Sequence, residues 1–135
     1  MIEDEYIQAI KLSTQVWIWL YKNPTNTKVS SPYWNKIESM SGSCPLCEYF
    51  INKVLGCKYC CLNKKRACNY KIMKTAFYHY WYYAKNKYKS IDMYKQKTSR
   101  AFIASKLRRE YEKITGDKHT FRNSLKGEQL YERKL

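Results

Sequence analysis

Glycine and proline are scarce in this sequence, at four and three residues of 135. Sandwiches and barrels need many short strands joined by turns that these residues mark, so the deficit argues against them. A mainly helical chain is the expectation. No apolar run approaches the length of a membrane span; the longest candidate, Val16–Tyr21, is short. The N-terminus, Met1–Glu5, is acidic where a secretory signal is basic. An intracellular setting without membrane contact follows as the expectation. Histidine is nearly missing, with only His79 and His119. His79 falls in an aromatic stretch that reads as packing, and His119 in a polar tail. There is no phosphate-cradling glycine loop and no serine nucleophile motif. Glu110 and Glu112 sit among lysines and arginines as solvated helix charges would. The chain is expected not to be an enzyme.

Acidic residues are also in deficit, 11 Asp/Glu against 26 Lys/Arg, for a net charge of +15. The imbalance is segregated. Residues 1–52 hold 4 basic and 5 acidic side chains, a net −1, and residues 53–135 hold 22 and 6, a net +16. A field of that size favours a polyanionic partner. AT-rich coding would inflate lysine, asparagine, tyrosine and isoleucine, but it does not account for the segregation.

What is present in excess is tyrosine, 14 residues, and clustered cysteine, six residues. Tyrosine buries a ring while keeping a polar tip, so it serves both a core and an aromatic surface. In a reducing setting, clustered cysteines read as metal ligands sooner than as disulfides. Cys44-Pro-Leu-Cys47 and Cys57-Lys-Tyr-Cys60 are separated by nine residues, with Cys61 and Cys68 beyond. A two-residue gap lets both thiolates face one ion while intervening N–H groups donate to sulfur. Two such knuckles supply four soft ligands, which suits one tetrahedral, structural Zn2+. Pro45 fixes φ in the first knuckle and Gly56 permits a close approach in the second. Cys68 is an alternative ligand, and Cys61 reads as the spare. An iron–sulfur cluster, a redox dithiol and buried free thiols use the same residues. Four cysteine ligands leave no position for water, so the metal would be a staple whose binding energy is folding energy.

The helical expectations are specific. Residues 3–22 carry Glu3, Asp4 and Glu5 in a first turn and Tyr6, Ile10, Trp17 and Leu20 along one stripe, ending before Asn23-Pro24. Residues 23–43 read as a loop pinned by Trp34 and Ile37, with a helical turn near 34–40. Glu48–Leu55 reads as a short helix. Residues 66–89 place Met73, Phe77, Tyr80, Trp81, Ala84 and Tyr88 on a buried stripe. In 91–115, Ile91, Tyr94, Thr98 and Phe102 lie nearly opposite Ile103, Leu107, Tyr111 and Ile114. That helix is therefore either covered on two sides or interrupted near Thr98–Ser99. Gly116 reads as a helix-ending residue. The whole is one helical domain of about four helices over 1–116, with an embedded zinc-knuckle segment at 44–68. Residues 117–135 follow as a basic helix or flexible tail anchored weakly by Phe121, Leu125, Leu130 and Tyr131.

Cations and rings interleave along Lys71, Lys74, Tyr78, Tyr82, Lys85 and Lys89, preceded by Lys64, Lys65 and Arg66. Arg100, Lys106, Arg108, Arg109 and Lys113 add charge on the next helix. Lysines there would neutralise phosphates and tyrosines would stack on bases, a non-enzymatic nucleic-acid surface. The bland alternative packs Tyr78 and Tyr82 under the first helix and leaves the lysines as a solvated rim.

In Cys44-Pro-Leu-Cys47-Glu-Tyr-Phe50, Cys57-Lys-Tyr-Cys60, Cys68 and the Tyr80-Trp81 pair, the chain resembles a group of small bacteriophage proteins of no agreed activity. The likeness covers roughly residues 44–111. It departs where those proteins tend to follow the second knuckle with proline, a place held here by Cys61. The resemblance implies a viral source, a host-cytoplasm location and a helix-dominated zinc fold. It also brings a second functional class: a host-directed, anti-defence protein that occupies a host protein or ribonucleoprotein complex, such as a polymerase or CRISPR nuclease. Exposed tyrosines would then be interface anchors. A virion component is a third.

Overall fold

The computed structural model describes residues 3–40, 43–52 and 93–125, the side chains of 51–52 and 93–99 excepted. Among these residues there are four α-helices and one 3-10 turn, and no strand. The expected helix at 66–89, the cysteines from 57 to 68 and the residues after 125 lie outside them.

Helix α1 spans Asp4–Lys22. Asp4 and Glu5 occupy its first turn and Lys22 its last, each complementing the helix dipole. Its buried residues, Ile10, Ser13, Thr14, Trp17, Leu20 and Tyr21, recur at helical spacing, with Val16 and Ile18 widening the stripe toward the C-terminal end. Thr14 satisfies its buried hydroxyl by donating to the Ile10 carbonyl at 2.7 Å. Pro24 cannot continue the helix, and Asn23 Nδ2 turns back to the Trp19 carbonyl at 2.9 Å.

The loop after α1 holds a 3-10 turn at Lys28–Ser30 and a one-turn α2 at Trp34–Ile37. Ile37 is fully buried, and Trp34 packs on the core from its edge. The loop is thus pinned as its two apolar residues imply. Helix α3 spans Pro45–Asn52, beginning inside the first knuckle rather than at Glu48. Proline at the first helical position needs no N–H partner and has φ preset, so Pro45 starts the helix. Leu46 and Phe50 are buried. Tyr6, Tyr49 and Phe50 form a ring cluster with centroids 5.1–5.9 Å apart, which seats α3 on the N-terminal half of α1. Tyr49 also donates to Glu3 Oε2 at 2.9 Å.

Helix α4 runs unbroken over Met93–Thr115. The two opposed apolar faces are explained by burial on both: Arg100 and all five residues from Ala101 to Ser105 are buried. Beyond Ser105 only one face is buried, through Leu107 and Tyr111. Arg100 lies at the C-terminal end of α1, yet α1 and α4 form the most extensive helix pairing among the described residues. Helix α4 must therefore run back along α1, antiparallel.

The chain does not leave the body at residue 116. Gly116 adopts φ +75° and its N–H closes on the Glu112 carbonyl at 2.8 Å, ending α4 as expected. Residues 117–125 then fold back as turns, with Phe121 and Leu125 buried. Phe121 meets Tyr111 edge-on at 5.1 Å. Asp117 organises the turn: one oxygen accepts from the His119 and Thr120 N–H groups, the other from the Tyr111 and Thr120 hydroxyls.

Candidate metal centre and basic surface

The first knuckle is built by the start of α3. Cys44 stands at the N-cap: its carbonyl accepts from Glu48 N–H at 3.0 Å and its Sγ from Cys47 N–H at 3.5 Å. The sulfur thus takes the place a serine or aspartate oxygen usually holds at a cap. Both cysteines are half-buried. The Cys47 thiol, the Lys28 ammonium and the N–H groups of Cys47 and Leu46 stabilise a Cys44 thiolate; against the opposing effect of burial they bring its pKa down to about 6.

A sulfur that accepts a backbone N–H beside a second cysteine one turn on makes a pair that could hold half of a thiolate metal site. The residues fit zinc in chemistry. No group of three ligand-type side chains comes together among the described residues, and Cys57, Cys60, Cys61 and Cys68 lie outside them.

Lys28 is the residue here that sequence reading did not single out. Its ammonium donates to the Ser43 carbonyl at 3.1 Å and stands 5.3 Å from the Trp17 ring centroid. A lone lysine in a polar loop carries no sequence signal of such a role.

The basic residues expected to contact nucleic acid divide sharply. Arg100 is fully buried and does not reach a partner surface. Its guanidinium donates to the carbonyls of Leu20 at 2.7 Å, Asn23 at 3.0 Å and Asn26 at 2.7 Å. These carbonyls lie at the end of α1 and in the loop after it, where no following helical turn can supply donors. Burial lowers the Arg100 pKa to about 10, so the group stays charged at neutral pH. Arg108 is largely covered and lies 3.9 Å from Glu112. Lys106 is half-buried with its ammonium 5.1 Å from the Phe102 ring centroid. Arg109 is exposed, as are Lys113 one turn further and Lys118 and Arg122 in the terminal turns. Lys64, Lys65, Arg66, Lys71, Lys74, Tyr78, Tyr82, Lys85 and Lys89 lie outside the described residues.

No described helix is long and apolar enough to cross a membrane. Comparison with protein-family models, curated proteins and solved structures returns no match.

Proposed function

We propose that this chain is a small, zinc-stapled basic protein that binds nucleic acid through its phosphates and performs no catalysis. The observation that carries the reading is the cationic end of α4. Arg109 and Lys113 stand exposed on the face opposite Leu107 and Tyr111, and Lys118 and Arg122 extend the charge past the helix. These sit in a chain of net charge +15. Exposed cations of this kind neutralise phosphates and release counterions, whatever the base sequence. The metal role is assigned to Cys44, Cys47, Cys57 and Cys60 with Cys68 as the alternative, and the knuckle geometry at Cys44 supports its first half. The resemblance of the cysteine pattern to the bacteriophage group supports an infected cell as the setting of this reading.

The test is fluorescence anisotropy on labelled duplex and single-stranded oligonucleotides across a salt series. Affinity should fall steeply with salt, the log–log slope being about −0.9 per phosphate neutralised on a duplex. The double substitution Arg109→Glu with Lys113→Glu should weaken binding to all sequences alike and flatten the slope by about two contacts. Absence of binding at low salt would sink the proposal. A host protein or ribonucleoprotein complex would then be sought by pull-down from host lysate.

A further inference from the structure

The loop after α1 reaches the residue before the Cys44 cap of α3 through Lys28. Four features converge there. Lys28 Nζ donates to the Ser43 carbonyl at 3.1 Å, bridging fifteen residues of chain. Ser43 has φ +50°, a left-handed conformation that strains a residue with a Cβ. The next residue is Cys44, whose sulfur already accepts the Cys47 N–H. The Trp17 ring, buried in α1, lies 5.3 Å from the same ammonium and limits where it can go. A lysine ammonium is a compact charge with three donors, and a buried ring beside it attracts the cation while excluding water.

We infer that Lys28 is a positioning residue for the thiolate metal centre, holding the Ser43–Cys44 turn in its ligand-presenting shape and bringing a positive charge to that turn. The inference rests on the reading of Cys44 and Cys47 as zinc ligands. Metal-bound thiolates such as those of Cys44 and Cys47 carry negative charge, which a cation on the adjoining turn offsets. Without Lys28, the Ser43 carbonyl loses its side-chain donor and the strained turn loses the contact that fixes it. Outer groups of this kind typically change metal affinity by about 10- to 100-fold.

The experiment compares the full chain with Lys28→Met and Lys28→Arg. Zinc affinity is read by competition with a chromophoric chelator, the ligand field by the absorption of the cobalt-substituted protein, and the fold by far-UV circular dichroism. Lys28→Met should bind zinc at least tenfold more weakly and give an altered cobalt spectrum, with helix content retained. Lys28→Arg, which keeps the charge and a donor, should recover most of the affinity. Zinc binding by Lys28→Met within twofold of the native chain overturns the inference and leaves the metal reading intact. A native chain that binds neither zinc nor cobalt overturns the metal reading, and the inference with it. Should Lys28→Met not fold, Lys28→Gln, which removes the charge from the same loop while staying polar, makes the same comparison.

Discussion

Replacing Arg100 by methionine removes the one buried cation in the described core and the three hydrogen bonds it donates. Three carbonyls, those of Leu20, Asn23 and Asn26, receive the guanidinium at 2.7–3.0 Å. A hydrogen bond from a charged donor contributes about 1.5–3 kcal/mol net, and a buried acceptor left unmade costs about 1–3 kcal/mol. These contributions do not add, because the Leu20 and Asn23 carbonyls keep the Asn23 and Asn26 N–H groups as donors, and water would reach the half-buried Asn26 carbonyl. Methionine also refills part of the volume. The expected loss is therefore about 3–5 kcal/mol, a large share of the roughly 5–15 kcal/mol typical of a domain. With a urea dependence of about 1.5–2 kcal/mol per molar for a chain of this size, the midpoint should drop by roughly 2 M. Arg100→Lys should fall between the two, since one ammonium does not span three carbonyls as a planar fork does. Urea titration followed by circular dichroism reads the effect. A midpoint for Arg100→Met within about 0.5 M of native, some 1 kcal/mol on that slope, would refute the assignment of Arg100 as the cap of α1. The folded variant should also keep the salt slope of nucleic-acid binding unchanged, which a surface arginine would not.

Ser13 has a buried hydroxyl without a hydrogen-bond partner. Ser13→Ala should therefore leave stability unchanged or raise it by up to about 1 kcal/mol, read in the same titration. Gly116→Ala places a Cβ in open space but at φ +75°, so strain alone should cost about 1 kcal/mol, and Gly116→Asn should cost less. Hydrogen bonds from the Thr120 hydroxyl, the His119 N–H and Tyr111 hold the Asp117 carboxyl well below the usual carboxylate range. Its stabilising contribution is then complete above the unfolded pKa near 4 and is lost as pH falls further toward the folded value. The stability gap between the native chain and Asp117→Asn should be level above about pH 5 and shrink below about pH 4. A gap that widens on acidification would contradict the turn's hydrogen bonding.

Much of the fold is legible in the residues because periodicity and proline act locally. The stripe through Ile10, Trp17 and Leu20 identifies α1, and Asn23-Pro24 ends it where the structure does. The start of α3 is displaced from Glu48 to Pro45 because a cysteine knuckle reads as loop, whereas Pro45 after a capping sulfur is a helix start. Arg100 is the most instructive departure. In a lysine- and arginine-rich stretch it looks like one more solvated charge, and nothing local reveals that three carbonyls, 74 to 80 residues earlier in the chain, converge on it. Phe121 and Leu125 look like weak anchors in a polar tail because their neighbours are charged, yet the Asp117 turn brings both into the core. The sulfur geometry at Cys44 follows from C-x-x-C spacing alone, while the convergence of Lys28 on Ser43 depends on the loop's path and has no local signature.

The most direct test of a metal-stapled chain is its zinc content when purified without chelator, measured by mass spectrometry together with helix content. One zinc per chain is expected, with both zinc and ordered structure lost in Cys44→Ser with Cys47→Ser. A ratio near zero with helix content and cooperative unfolding retained would contradict the staple.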